Sequence, residues 1–270
     1  MTTDDDATRA RLLAAYDEQL RTDAETPSAV SVERLGPLRL VTFASGRGFI
    51  TYQSLGDLGE PEIAALVPEA FAHYTADETI TSVEWKTRGH DRAPGLHEAL
   101  LANGFRPDDP ESIMIGDAQD LIADVPLPPG VALCRVTDAA GVRAMCAMEA
   151  GVFGDTAEDA AGMEAATLAR FARDPDMELW VALAGDTVVC AGRLEPVPGT
   201  SFAGIWGGAT LPEWRRKGIY RALTAARARS AVALGKTLIH SDSTEFSRPI
   251  LERSGLLKVS TTTPYVWKRG

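Results

Sequence analysis

Apolar side chains recur along the first half of the chain at spacings that alternate between helical and strand-like. Leu12, Tyr16 and Leu20 are four residues apart and, with Leu13, predict a helix over residues 5–22. Shorter apolar runs predict strands at 38–43, 48–53, 80–85 and 112–115. Helical spacing returns in two later segments, which predict helices at 61–74 and 96–103.

The second half shows the same alternation of patterns. It predicts strands at 131–136, 179–184, 188–194, 202–211, 237–243, 256–261 and 265–268. It predicts helices at 139–152, 157–172, 216–234 and 247–254. Helices and strands that follow one another in this order indicate the α/β class, with mixed α+β order.

Composition indicates a globular chain without a membrane or secretion signal. Of the 270 residues, 45% are hydrophobic and 24% are charged, which is enough apolar surface for a core. No apolar run approaches the roughly 18 residues of a membrane helix, and no signal core follows the acidic stretch Met1–Asp6. We therefore expect a cytoplasmic protein with no membrane partner. Its three cysteines form no Cys-x-x-Cys pair, so we expect reduced, mostly buried thiols, without a disulfide framework or a metal site.

The net negative charge of the chain comes from its first half. Residues 1–126 contain 23 acidic and 10 basic side chains, and residues 127–270 contain 15 acidic and 17 basic ones, for a net charge of −11. This balance disfavours nucleic acid as a partner, because binding to it requires clustered Lys and Arg. Three prolines and a glycine punctuate 124–130. We therefore predict two domains, at 1–124 and 130–270.

A faint internal repeat at a spacing of 151 residues relates the two halves. It places Pro61-Glu62 on Pro212-Glu213, Leu100 on Leu251 and Gly104 on Gly255. Two interpretations remain open, namely two copies of one fold or two ordinary α/β units.

The segment between the strand at 202–211 and the following helix has an unusual charge pattern. Arg215, Arg216 and Lys217 stand at the predicted first turn of the helix, where each cation is disfavoured by roughly 0.3–1 kcal/mol. Gly218 beside them lets a ligand approach the backbone. An anion such as pyrophosphate fits this pattern. A solvated basic helix start, with carboxylates of the acidic first half as counter-ions, is the alternative.

Two glycines in the preceding strand point to the same region. Gly207-Gly208 would weaken an ordinary sheet, so they predict a bulge or close approach by another extended chain, with a tight sheet twist as the structural alternative. Neither Gly-x-x-x-x-Gly-Lys-Ser/Thr nor a Gly-x-Gly-x-x-Gly that opens a helix is present. A nucleoside triphosphate or dinucleotide cradle is therefore disfavoured.

The order Gly-Gly-Ala-Thr-Leu, Pro-Glu-Trp-Arg-x-x-Gly, helix, strand, Pro-Ile-Leu-Glu-Arg-Ser-Gly-Leu resembles the GNAT superfamily of N-acetyltransferases over residues 130–268. The resemblance implies two GNAT-like units, each a central mixed sheet flanked by helices. It also implies transfer of acetyl from acetyl-CoA to a primary amine of a small molecule or peptide by direct attack. By this resemblance, the pyrophosphate of acetyl-CoA would lie on Arg215, Arg216, Lys217, Gly218, Ile219 and Tyr220. The pantetheine arm of acetyl-CoA would lie along Ala209, Thr210 and Leu211.

Two positions depart from the superfamily pattern. Tyr220 stands where a small residue is usual, so it either narrows the phosphate cradle or adds a hydroxyl to it. Leu251 stands where many GNAT enzymes have a tyrosine acid, which favours a rival reading of the chain as a non-catalytic acyl-CoA-binding regulatory module. A third reading is an association domain whose basic loop only docks the acidic half.

Direct attack by an amine requires a proton acceptor, and help for the leaving thiolate. Glu245, after the strand at 237–243, is the first choice as base, although it can equally be a solvated side chain. His240 and Asp242 share one face of that strand, with a core histidine and a helix cap as their structural alternatives. Tyr220 or Tyr265 could serve as the acid, or the thiolate could leave unassisted.

The first half is expected to bind no cofactor. At the spacing of 151, Ala64–Val67 corresponds to Arg215–Gly218 and holds no cation. We therefore expect one acetyl-CoA per chain. The first half would shape the acceptor pocket or mediate association, as in a homodimer.

Overall fold

The computed structural model describes residues 3–270, so the first two residues of the acidic N-terminal stretch lie outside it. The chain forms two compact units by its internal contacts. Unit 1 comprises the residues up to Ile113 together with Ser243–Glu245 and Lys258–Gly270, and unit 2 comprises Met114–Asp242 and Phe246–Leu257. These limits differ from the domains expected from the sequence, because the last strand belongs to unit 1.

Helices and strands alternate along the chain as predicted. The helices are α1 (Thr3–Gln19), α2 (Glu60–Thr75), α3 (Leu96–Ala102), α4 (Ala139–Phe153), α5 (Ala157–Arg173), α6 (Ile219–Ala233) and α7 (Arg248–Ser254). The strands are β1 (Ser31–Leu35), β2 (Leu38–Phe43), β3 (Arg47–Tyr52), β4 (Ser82–Arg88), β5 (Arg106–Pro107), β6 (Glu111–Asp117), β7 (Val131–Arg135), β8 (Glu178–Ala184), β9 (Thr187–Pro196), β10 (Phe202–Thr210), β11 (Leu238–Ser243) and β12 (Leu257–Lys268).

The described residues can be checked for a membrane helix, a metal site and buried cysteines. No helix within residues 3–270 is long and apolar enough to cross a membrane. No group of three or more metal-ligating side chains is found in the same range. Cys146 and Cys190 are buried and Cys134 is half-buried, in agreement with the expected burial of most of the thiols.

Unit 1 is a mixed sheet in the order β1-β2-β3-β4-β12. β3 and β4 are parallel, and the other neighbours are antiparallel. The buried side chains of the sheet include Leu38, Ile50 and Trp85, which cluster with Tyr74 of α2 and Leu100 of α3. The Tyr74 hydroxyl donates to backbone carbonyls of β2 and β3, so the ring can be buried without losing its hydrogen bond.

The prediction of two strands at 256–261 and 265–268 is wrong, because β12 is continuous. It pairs with β4 in register from Thr262 opposite Arg88 to Lys268 opposite Ser82. The strand continues through Pro264, whose carbonyl accepts the Asp108 N–H at 2.8 Å. A proline can remain in a strand at a position where its missing N–H is not needed.

The strands of unit 2 follow the order β6-β11-β10-β9-β8-β7, and the second half of β6 belongs to this unit. β10 and β11 are parallel, whereas β7 to β10 form an antiparallel meander. Asp138 caps α4 by accepting the Gly141 N–H at 2.7 Å. Helix α6 packs on β8, β9 and β10, and α4 packs on β9 and β10. The mixed α/β fold class predicted from the sequence is confirmed.

Candidate functional site

The two parallel strands at the centre of unit 2 separate from one another. Their ladder runs from Phe202 opposite Leu238 to Gly204 opposite His240. β10 continues to Thr210, and no further pairing with β11 occurs in the described chain. One backbone edge of β10 is therefore open over its last residues. An extended ligand can pair with such an edge as an additional strand would.

A β-bulge lies on this separated part of β10. Trp206 pairs with Arg193 and Ala209 with Ala191, so Gly207 and Gly208 together stand opposite one residue of β9. Gly207 has a φ of 61°, which favours glycine. The bulge predicted from the two glycines is confirmed, and the alternative of a simple twist is not needed.

Different side chains fill the space next to each glycine of the bulge. A Cβ built on Gly207 would lie 3.0 Å from Oε1 of Glu149 and 3.2 Å from Nη1 of Arg193. A Cβ built on Gly208 would lie 2.5 Å from the hydroxyl oxygen of Tyr220. Because neither glycine has a side chain, the Glu149 carboxylate, the Arg193 guanidinium and the Tyr220 hydroxyl can lie close to the backbone of the bulge.

The loop after β10 enters α6 later than predicted. A short 3-10 turn at Pro212–Trp214 is followed by extended backbone at Arg215, and Arg216 has a φ of 61°. Gly218 has a φ of 80° and precedes the first helical residue, Ile219, which is 1% exposed. The expected helix start at residue 216 is therefore wrong, because left-handed residues cannot continue an α-helix. A non-glycine residue held in this conformation is a strained feature that often marks a functional loop.

The three cations of the loop are exposed and lack carboxylate partners. No salt bridge to Arg215, Arg216 or Lys217 is present within residues 3–270. Nε of Arg215 donates to the Thr210 carbonyl at 3.0 Å, and Nζ of Lys217 lies 4.6 Å from the centre of the Trp214 ring. Within unit 2, no carboxylate therefore neutralises this loop.

Helix α6 begins with donors that its own backbone cannot satisfy. Its first backbone hydrogen bond runs from Ala222 N–H to the Gly218 carbonyl at 2.9 Å. The N–H groups of Ile219, Tyr220 and Arg221 therefore have no intrahelical acceptor. Together with the three cations, they make this helix start suitable for a phosphate.

Gly218 also leaves room beside the linker that precedes β7. A Cβ on Gly218 would contact Cγ1 of Val125 at 3.4 Å and the Pro126 carbonyl oxygen at 3.8 Å. The linker 123–127, with Leu133, Ala222 and Arg229, borders a cavity of about 340 Å³ in unit 2.

The other residues considered for acid and base roles lie in varied surroundings. Glu245 is exposed, and by its contacts it belongs to unit 1 rather than to the unit with the loop. Tyr265 also belongs to unit 1, where its hydroxyl is 2.6 Å from Nδ1 of His97. Leu251 is 1% exposed in the core of unit 2. His240 packs edge-on against the rings of Phe202 and Trp206, as its structural interpretation predicts.

Glu149 is a candidate residue that the sequence did not single out. It lies on α4, is 7% exposed, and its Oε1 has no hydrogen-bond partner within the described residues. Burial raises the pKa of Glu149 to about 7, although Arg193 and Arg227 lower it. A carboxyl with this pKa can accept and release a proton near neutrality. The available signal was its helical spacing from Val142 and Met145, which places a carboxyl on the apolar face.

The corresponding segment of unit 1 differs from the loop of unit 2. Displaced by 151 residues, α2 would begin at residue 211, whereas α6 begins at Ile219, so the repeat does not align these helices. By element order the counterpart of the loop is 53–59, and Ala64–Val67 lies inside α2 instead. That segment has no Lys or Arg, and the Gly59 N–H donates to Oε2 of Glu62 at 3.1 Å. A carboxylate of the chain already occupies this helix start.

Comparison with known proteins supports the resemblance in the second half. Residues 145–255 match the family model described as the acetyltransferase (GNAT) family. The match includes the bulge, the loop and α6, and it confirms the resemblance over that range. No curated protein matches the chain.

Solved structures show the same fold over nearly the whole chain. A GCN5-related N-acetyltransferase from Kribbella flavida has 18% identity and a TM-score of 0.68, over 97% of this chain and 96% of that one. One from Sphaerobacter thermophilus has 14% identity and a TM-score of 0.65, over 96% and 91%. A tandem GNAT protein from the clavulanic acid biosynthesis pathway, solved without AcCoA, has 14% identity and a TM-score of 0.60, over 97% and 96%. At these identities the likeness shows the fold.

Proposed function

We propose that this chain, whose residues 145–255 form a domain of the acetyltransferase (GNAT) family, is an acyl-CoA-dependent N-acetyltransferase acting on a primary amine by direct attack. Its two units would be a tandem pair, with acetyl-CoA bound only in unit 2. The main supporting observation is the loop, where three exposed cations without carboxylate partners flank the open N-terminus of α6.

The residues of unit 2 fit the parts of acetyl-CoA. Arg215, Arg216, Lys217 and the N–H groups from Gly218 to Tyr220 would hold the pyrophosphate. The open edge of β10 at Ala209, Thr210 and Leu211 would hold the pantetheine arm as an added strand. Unit 1 lacks such a place because Glu62 occupies its helix start. The bound thioester supplies the acetyl group.

The bulge offers a donor for the oxygen that gains charge during attack. Leu211 N–H donates to the Val189 carbonyl at 3.0 Å, so the alternation of an antiparallel ladder commits Ala209 N–H to Ala191. The Gly208 N–H, beside the Tyr220 hydroxyl, would then serve as the donor at the open edge. One preorganised donor of this kind is typically worth about 2.7–4 kcal/mol.

Two side chains next to the bulge would transfer the protons. Glu149 would accept a proton from the ammonium group of the acceptor and so free the amine to attack, since it is buried without a hydrogen-bond partner on Oε1. Tyr220 would donate to the leaving thiolate, because its hydroxyl lies against Gly208. Glu149 is a better supported base than Glu245, which is exposed and lies in unit 1.

The alternative is a non-catalytic acyl-CoA-binding regulatory module, which is favoured by the buried Leu251 where a tyrosine acid is usual. Incubation with acetyl-CoA and a panel of primary amines, with thiol release as the readout, separates the two. Amine-dependent release that is lost in Gly218→Glu supports the enzyme. Calorimetric binding of CoA without release for any amine supports the module, and no binding excludes both.

A further inference from the structure

A second charged group faces the same point of the bulge as Glu149. Arg193 projects from β9, and its Nη1 and Oε1 of Glu149 both lie within 3.2 Å of the position that a Cβ on Gly207 would occupy. Nε of Arg193 is bound to Oε1 of Glu195 at 3.2 Å. Its two Nη groups have no acceptor in the described part of the chain. Both Nη groups of the guanidinium are therefore available to a ligand.

Glu195 neutralises Arg193 only in part, because it is shared with a second arginine. Oε2 of Glu195 lies 2.9 Å from Nη2 of Arg170 on α5. One carboxylate thus serves two guanidinium groups. The positive charge of Arg193 next to Gly207 is therefore only partly compensated by Glu195.

A third guanidinium adds positive charge beneath the bulge. Arg227 of α6 is fully buried, and it donates to the Arg193 carbonyl at 3.1 Å and to Oγ1 of Thr224 at 3.3 Å. Both acceptors are neutral, and no carboxylate within residues 3–270 lies at ion-pair distance from it. Buried charges are normally paired. The surroundings of Gly207 therefore contain more cationic than anionic charge unless an anion is added.

We propose that the acceptor is an amine that carries its own carboxylate, as in an α-amino acid. Arg193 binds the carboxylate of the acceptor through its free Nη groups, and Glu149 takes the proton of the ammonium group. The free amine attacks the thioester carbon, a C–N bond forms and the C–S bond breaks. Tyr220 gives its proton to the sulfur, and the second amine proton restores the Tyr220 hydroxyl. This inference rests on the proposed function, since it requires the thioester at the bulge.

The charge pattern distinguishes this class from simpler amines. A polyamine or an aminoglycoside brings only positive charge toward Arg193 and Arg227, which repel it. A zwitterion places its negative group at Arg193 and its positive group at Glu149. Bidentate pairing between guanidinium and carboxylate gives both affinity and orientation.

The test compares the proteinogenic amino acids with their methyl esters as acceptors of acetyl from acetyl-CoA. In the wild type we expect kcat/KM to favour the free acid by at least about 30-fold, because removal of one partner of a buried charge pair costs at least about 2 kcal/mol. In Arg193→Gln the ratio of acid to ester should fall toward one. The matched control, Arg143→Gln, removes an exposed arginine of α4 and should keep the wild-type ratio.

Each result decides a different statement. Equal use of acids and esters by the wild type, or an unchanged ratio in Arg193→Gln, overturns this inference and leaves the acetyltransferase intact. Absence of transfer to either set overturns this inference, and the panel of primary amines then decides the proposed function, which only a failure with every amine overturns. CoA binding by Arg193→Gln, measured by calorimetry, shows that the variant is folded, and Arg193→Lys should keep part of the preference because it retains the charge.

Discussion

Replacement of Glu149 by glutamine should change how stability depends on pH. Burial raises the pKa of Glu149 from an ordinary 4.5 to about 7, with Asp155 adding to the rise and Arg193 and Arg227 opposing it. A raised pKa gives a contribution to stability that is full below about pH 4.5 and is lost as the pH rises through about 7. A difference of one pKa unit between the folded and unfolded states corresponds to about 1.4 kcal/mol. Ionisation of Glu149 therefore destabilises the fold by about 3 kcal/mol at pH 8.5 and by less than about 1 kcal/mol at pH 5.

Glutamine has nearly the same shape and does not ionise. The free energy of unfolding of Glu149→Gln, relative to the wild type, should therefore increase by about 2.5 kcal/mol between pH 5 and pH 8.5. Equilibrium urea unfolding at the two pH values measures this difference, in which other titrating groups cancel. Glu252→Gln, an exposed carboxyl on α7, serves as control and should show no such increase. A constant difference between Glu149→Gln and the wild type would refute the assignment of Glu149 as a buried, readily protonated carboxyl.

Three further predictions address the site and the core of unit 1. Tyr220→Phe should lower kcat by about 100-fold or more without weakening CoA binding, since general acid catalysis typically contributes that much; a lower affinity with normal kcat would argue against it. Gly208→Ala should cause a similar loss, because its Cβ would displace the Tyr220 hydroxyl, and the double variant should lose no more. Glu25→Gln should destabilise the protein by about 3–5 kcal/mol in urea unfolding, because it leaves Arg88 buried without its carboxylate, whereas exposed Glu78→Gln should have little effect.

The fold was predictable where apolar spacing alone decides the structure. β2 lies at the predicted residues, because Leu38–Phe43 is a compact apolar run bounded by turns. β1 was not predicted because its side chains are mostly exposed and leave no apolar pattern. The continuity of β12 was missed because its stability depends on pairing with β4, distant in the sequence.

The candidate site was predictable where its chemistry is local in the sequence. The cations and Gly218 lie within four consecutive residues, so their electrostatic conflict with a helix start can be seen without a structure. Glu149 could not be found in this way. Its burial and its raised pKa arise from the surroundings that β9 and α6 provide, and Arg193 and Arg227 lie far from it along the chain.

The proposed function depends on the claim that the start of α6 binds the pyrophosphate of CoA. The affinity of two variants at Gly218 for CoA tests this claim most directly. Gly218→Gln and Gly218→Glu place side chains of equal bulk on the same backbone with a φ of 80°, so they share any strain and differ in charge alone. Calorimetry should show CoA binding to Gly218→Gln and at least about 100-fold weaker binding to Gly218→Glu, because a carboxylate beside a pyrophosphate costs several kcal/mol. Pantetheine, which lacks the pyrophosphate, should not distinguish the two. Equal CoA affinities would contradict the account.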